Sequence, residues 1–195
     1  MNKKTIIVFL ASALVGFYLI TRKTAVSQRV TRSATGAIRQ VKRGISMIAT
    51  NISERGRQLI KSAEGLDLNV YNDAGGYSIG YGRYLGKIKT LLKITQAQAE
   101  EFFIQDVANV EKEMQRYIKV SLNQNQHDAL VSFFYNLGHK GFVNANGSKT
   151  QLLQKLNRGE YLAAANELDR WVYAEGKKNS RLTTRRANEK ALFLA

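Results

Sequence analysis

The sequence predicts an α+β domain, a small β-hairpin lobe beside a larger helical lobe, preceded by a transmembrane helix and a basic amphipathic helix. Three observations predict it. An uncharged, mostly apolar run fills residues 5–20; residues 26–52 repeat apolar side chains at helical spacing with no acid among them; and from Ser53 onward one glycine-rich stretch is followed by a series of capped helical patterns. The divisions are therefore 1–24, 25–52 and 53–195. With 195 residues and 44% apolar content, the chain can build one core and carry an extension.

The run at 5–20 lies between Lys3-Lys4 and Arg22-Lys23. Its 16 residues fall just short of the roughly 17–25 of a spanning helix, and the flanking cations can snorkel at the boundary. An uncleaved anchor is the preferred reading. A cleaved signal peptide competes with it, but cutting after Ala11-Ser12-Ala13 would split the apolar run. In the next segment, Val26, Val30, Ala34, Ala37, Ile38, Val41, Ile45, Ile48 and Ile52 share one side of a helical wheel, opposite Arg29, Arg32, Arg39, Lys42 and Arg43. A basic amphipathic helix beside an anchor suits an anionic lipid surface; a helix packed on the domain and a solvated tether are the alternatives.

From Ser53 a helical run ends at Glu64-Gly65, and the glycines of residues 68–84 permit the tight reversals of a hairpin. Thr95-Gln96-Ala97-Gln98 has the form of a capping box and opens a helix through Phe103 and Val107. Residues 123–137 form a strongly apolar helix stopped by Gly138, and residues 150–156 a shorter one stopped at Asn157-Arg158-Gly159. Helices over 162–171 and 184–194 complete the lobe.

The net charge of +15 is unevenly spread: residues 1–52 hold nine basic side chains and no acid, and the remainder holds 21 basic and 15 acidic ones. Such a chain favours polyanions, whether nucleic acid, anionic lipid or an anionic cell wall. The absence of cysteine excludes disulfides, thiolate metal sites and a thiol nucleophile. His127 and His139 are too few to suggest a catalytic metal, and both are read as structural or solvated.

The candidate chemistry rests on two carboxylates. Glu64 closes a helix and Asp73 sits at the turn that follows. Two carboxyl groups held by different elements across a cleft are what glycosidic cleavage requires: one protonated, to protect the leaving oxygen, the other ionised, to handle water or the oxocarbenium-like centre. Asp67 is a nearby competitor, assigned to the surface, and Trp171 is assigned to core packing.

Six segments, ISERGRQLIKSAEGL, VYNDAGGYSIGYG, ITQAQAEEFFIQDV, LNQNQHDALVSFFYNLG, LLQKLNRGEYLAAANEL and TTRRANEKALFL, together resemble the phage-type lysozymes of glycoside hydrolase family 24 over residues 50–195. The resemblance implies a lysozyme-like two-lobe fold and hydrolysis of the β-1,4 bond between N-acetylmuramic acid and N-acetylglucosamine in bacterial peptidoglycan. It implies no cofactor and no metal, and inversion at the reacting carbon. The family spaces its catalytic Glu and Asp by eight residues, as Glu64 and Asp73 are spaced here, which makes Glu64 the general acid and Asp73 the partner that directs water or stabilises positive charge. Ser78 stands in the place of the family's Thr, one residue early, with water positioning and plain hairpin hydrogen bonding both open. Arg83 replaces a customary His and is read as local repacking. Arg185 matches an arginine that reaches the acid's neighbourhood, where it would help hold Glu64's orientation; it is read as a substrate-binding residue, with a surface helix charge beside Arg186 as the alternative, and Asn136 is a candidate sugar or peptide contact.

The expected partners are peptidoglycan and, through residues 5–20 and 26–52, a lipid membrane; the domain is read as a monomer. The apolar run resembles the signal-anchor-release segments of some endolysins. Expected locations are the host inner membrane with the domain facing the periplasm, or the membrane of a virus particle. Charge flanking the anchor opposes the first of these. Two rival classes stand beside the enzyme: a membrane-tethered wall-binding or virion structural protein, and a lipid- or nucleic-acid-binding protein led by its basic helix.

Overall fold

Helix α1 (Glu54–Glu64) begins where Ser53 turns extended and its hydroxyl accepts the Gly56 amide, and it stops at Gly65, whose φ of 75° few other residues tolerate. The computed structural model describes residues 51–73, 75–87 and 93–195. The 5–20 run and the amphipathic stretch up to residue 50 lie outside the described residues. Among those described, no helix is long and apolar enough to cross a membrane.

Strands β1 (Asp67–Asp73), β2 (Gly76–Gly80) and β3 (Arg83–Gly86) form an antiparallel sheet in the order β1-β2-β3. The expected hairpin thus gains a third strand. The reversals into and out of β3 rest on Gly80, Gly82 and Gly86, at φ of 69°, 88° and 93°. Tyr71 faces Ser78, and Asp73 faces Gly76, across the β1–β2 ladder.

The helical lobe is built around α3 (Gln124–Leu137), on which every residue from Asp128 to Phe134 is buried. A helix apolar on all sides belongs at the centre of a fold, and α3 packs against α1, α2 (Gln96–Met114) and α6 (Ser180–Leu194). The expected capping box at Thr95/Gln98 is present, and a second reciprocal box, not anticipated, forms at Asn123/Gln126. Thr150 caps α4 (Gln151–Asn157). Phe133, Phe134, Phe142 and Leu130 fill the centre, with Trp171 edge-on to Phe133 at 5.7 Å as the expected packing residue.

Three expectations are corrected in this lobe. The helix expected over 162–171 is α5 (Tyr161–Glu167), which tightens into a 3-10 turn at Leu168–Arg170. The last helix begins at Ser180 rather than at 184, because the Asn179 side chain accepts the Leu182 amide and caps it four residues earlier. Between them lies an unanticipated two-stranded ribbon, β4 (Tyr173–Ala174) and β5 (Lys177–Lys178), turned by Glu175 and Gly176 at φ of 51° and 74°.

The domain also begins earlier than expected. The Asn51 amide donates to the Glu111 carboxylate at 2.9 Å, the Ser53 amide donates to Asp128 at 3.0 Å, and Ile52 is only 3% exposed. Ile52, placed on the lipid-facing side of the amphipathic stretch, is instead a core residue. His127 lies between these two carboxylates, 3.5 Å from each, a structural position as expected.

One close approach fixes this junction. A Cβ on Gly56 would stand 2.6 Å from Ile52 and 2.7 Å from the Asp128 carboxyl carbon. Gly56→Ala gains about 1 kcal/mol in helix propensity, yet overpacking against two buried side chains costs about 1–3 kcal/mol. A net loss of stability is therefore expected, read as a lower urea midpoint.

Candidate active site

Glu64 occupies the last turn of α1, where the helix ends against the turn following β2. A Cβ on Gly82 would lie 3.3 Å from Glu64 Oε2, so only a glycine lets that turn come this close without crowding the carboxylate. The other oxygen, Oε1, accepts Arg185 Nη1 at 2.6 Å, a contact between residues 121 positions apart. The Glu64 side chain keeps 20% exposure and the Arg185 side chain only 6%.

Arg185 is fixed from behind. Its Nε donates to Glu189 Oε1 at 3.1 Å and its Nη2 to the Ser132 carbonyl at 3.1 Å. Glu189, fully buried, also accepts the Ser132 hydroxyl at 2.7 Å and Arg186 Nη1. Arg186 itself has no exposure; its guanidinium lies 4.8 Å from the Phe133 ring centre and donates to Asn136 Oδ1. Burial pushes the Glu189 carboxyl up, and Arg186, Arg185 and the Ser132 hydroxyl oppose it. With donors on both of its oxygens, the carboxylate form fits this position.

Several site expectations change here. Arg185, expected both among the substrate contacts and as a holder of Glu64's orientation, directs Nη1 to Glu64 and its other two nitrogens to Glu189 and the Ser132 carbonyl. Arg186, its neighbour in sequence, is buried. Asn136, half-buried at the end of α3, gives its carbonyl oxygen to Arg186 rather than presenting it to a ligand.

Asp73 ends β1 and is exposed. Its Oδ2 accepts the Ser78 hydroxyl at 2.8 Å, and Ser78 has no exposure. Of the two roles left open for Ser78, its burial selects the hydrogen bond within the hairpin, because a hydroxyl sealed from solvent cannot hold a water in the cleft. Asp67 is exposed and accepts the Asn69 amide at 2.9 Å, a local surface role as expected.

Tyr71 of β1 feels the charge of both acids. The Tyr71 phenol is held above its ordinary pKa by burial first, then by the charges of Asp73, Glu64 and Asp67. Open space adjoins Asp73 and, at Gly82, the turn that meets Glu64. A groove of about 450 Å³ is lined by Gly82, Arg83, Tyr84, Asp106, Asn109 and Tyr135, and another of about 450 Å³ by Asn72, Asp73, Tyr77 and Lys87. Tyr135 of α3 secures the turn between them by donating to the Tyr81 carbonyl at 2.9 Å. Arg83 is spent on α2, with Asp106 at 2.6 Å, the Phe102 carbonyl at 3.0 Å and the Phe102 ring beneath it at 4.2 Å. It is a packing residue, as expected. Among the described residues no group of three His, Asp or Glu side chains could hold a metal ion.

Sequence reasoning passed over Ser132, Arg186, Glu189, Tyr71 and Gly82. The i+3 and i+4 spacing from Arg186 and Arg185 to Glu189 was the available signal for the buried cluster.

Comparison with known proteins agrees with this geometry. Residues 61–189 match the phage lysozyme family model. The endolysin of Bacillus phage PZA is 42% identical over 145 residues, covering 73% of this chain and 54% of the relative, so the chain spans about half the length of that relative. The SAR-endolysin of Enterobacteria phage P21 is 34% identical over 133 residues, 67% of this chain and 77% of the relative. Among solved structures, the muramidase domain of SpmX from Asticaccaulis excentricus superimposes with a TM-score of 0.64 at 33% identity, covering 74% of this chain and 97% of that one. A family match across most of the domain places the chain in the phage lysozyme family.

Proposed function

We propose that this domain hydrolyses the glycan strands of bacterial peptidoglycan at the β-1,4 bond between N-acetylmuramic acid and N-acetylglucosamine. Glu64 protonates the departing glycosidic oxygen, and Asp73 directs water or stabilises the positive charge that develops at the anomeric carbon. The observation that carries this reading is the separate anchoring of the two acids: Glu64 on Arg185 and Asp73 on Ser78, with one groove lined by Asp73 and another by Gly82 of the turn that meets Glu64. Fixed carboxyl orientation is what acid/base work needs, since a misplaced proton donor loses most of its advantage. The reaction inverts the anomeric centre, a reading supported by the family resemblance.

The test is product analysis. Purified sacculi treated with the protein should release fragments with new N-acetylmuramic acid reducing ends, identified by borohydride reduction and mass spectrometry, and proton NMR taken early in the reaction should show the α-anomer first. Glucosamine reducing ends or free stem peptides would point to a different bond. Wall binding with no new ends would favour the non-catalytic wall-binding or virion structural alternative.

The apolar run at 5–20 and the likeness to a SAR-endolysin support a membrane-anchored form, either facing the periplasm from the host inner membrane or carried in the membrane of a virus particle. A chain beginning at Ile48, where the second compact unit starts, is expected to keep its wall-clearing activity and lose sedimentation with vesicles of anionic lipid.

A further inference from the structure

Arg185 holds Glu64 through one oxygen, and a carboxyl held at one oxygen can still turn about its broad χ3 torsion. On the Oε2 side that turning is limited by the backbone of Tyr81-Gly82, the turn between β2 and β3, since a Cβ on Gly82 would lie 3.3 Å from Oε2. The place of this turn relative to α1 therefore bears on the aim of the acid.

Three side chains fix that place. Glu100 of α2 accepts Lys61 Nζ on Oε2 at 2.6 Å and the Tyr81 hydroxyl on Oε1 at 2.8 Å. Lys61 precedes Glu64 by three residues on α1, which makes the two neighbours on the helix surface. Tyr81 belongs to the turn itself, is 8% exposed, and stands edge-on to Phe103 of α2 at 5.4 Å. The Lys61 ammonium lies 5.2 Å from the Tyr81 ring centre and 5.0 Å from that of Phe103. Burial first, then the bond to Glu100 and its charge, push the Tyr81 phenol up to about 12, so it remains a donor at the pH of any wall reaction. One carboxylate thus ties the helix that carries the acid to the turn that faces the acid.

We propose that Glu100 is a positioning residue for the general acid: by receiving Lys61 from α1 and Tyr81 from the β2–β3 turn, it holds that turn against Glu64 Oε2 and keeps the carboxyl aimed at the departing oxygen. The proposal rests on the catalytic reading of Glu64. Glu100 acts through its two partners, and the clamp works only while both links are made. Cutting either one lets the turn and the helix move independently, and Glu64 then keeps Arg185 on one oxygen with nothing fixed behind the other.

Tyr81→Phe removes the link to the turn and keeps the ring on Phe103; Lys61→Met removes the link to α1 and keeps most of the stem. On soluble glycan strands each should lower kcat about tenfold with KM within about twofold, because delivery of the proton needs the aim and binding does not. Glu100→Gln, with one acceptor oxygen for two donors, should show a loss of the same size. The Tyr81→Phe/Lys61→Met double variant should lose little more than either single one, since one cut already opens the clamp. A second substrate separates aim from general damage. An aryl glycoside of an N-acetylmuramyl oligosaccharide, whose phenol departs without a proton, should be cleaved by both single variants within about twofold of the parent rate. Single losses that multiply to about a hundredfold in the double variant, equal losses on both substrates, or an unchanged kcat in the single variants would each overturn the proposal. Glu64→Gln serves as the control: full activity in that variant on glycan strands would sink the catalytic reading itself, whereas an inactive Glu64→Gln beside unaffected Tyr81→Phe and Lys61→Met would sink only the clamp.

Discussion

Glu64→Gln is expected to clear cell-wall suspensions at least about a hundredfold more slowly than the parent chain, with a melting temperature within about 2 °C of it. The two halves of this expectation have separate causes. Glutamine has the shape of glutamate, and its amide oxygen can accept Arg185 Nη1 where Oε1 does now. Arg185 also keeps Glu189 and the Ser132 carbonyl, so no buried cation is stranded. Part of the ion pair's worth is lost, but Glu64 is 20% exposed and solvent screens much of it. The chemistry has no such reserve, because an amide cannot deliver a proton to a departing alkoxide. Turbidity loss and calorimetry on one preparation separate the two effects. Lysis by this variant at the parent rate would remove Glu64 from the mechanism.

Glu189→Gln carries the largest expected cost to the fold. Glu189 is fully buried and receives Arg185 Nε and the Ser132 hydroxyl on one oxygen and Arg186 Nη1 on the other. A glutamine must put its amino group where one of those oxygens was, turning donor against donor. It also leaves Arg186, with no exposure, and Arg185, with 7%, lacking their shared counter-ion. Breaking one side of a buried ion pair typically costs about 3–5 kcal/mol, visible as a fall in the urea midpoint with an unchanged slope. The change reaches the site as well. Arg185 loses the Glu189 contact that sets its angle toward Glu64, so activity per folded molecule should drop, measured at low temperature where the variant remains folded.

Local chemistry made some of this molecule readable in advance. The capping box at Thr95 announced the start of α2, because an oxygen-bearing side chain ahead of an apolar repeat has few other uses. The eight-residue gap between Glu64 and Asp73 is what matched them to the family's acid pair. What stayed hidden depends on contacts between distant segments. Arg185 and Arg186 look alike in a sequence, and only the packing of α6 against α3 decides that one reaches Glu64 while the other is enclosed beside Phe133. Asn136 follows the same rule, since its partner lies 50 residues away. Ile52 was drawn into the amphipathic stretch by a periodicity that continued past the domain boundary. Strands of two residues around Glu175-Gly176 leave too little alternation to detect.

Arg185 is translated 121 residues after Glu64. A ribosome stalled between Asp73 and α6 therefore holds a chain that carries both acids but lacks the guanidinium that contacts the first. Under the proposed mechanism, a fragment from abandoned synthesis would lack that fixed orientation of Glu64, which is gained only when the final helix docks.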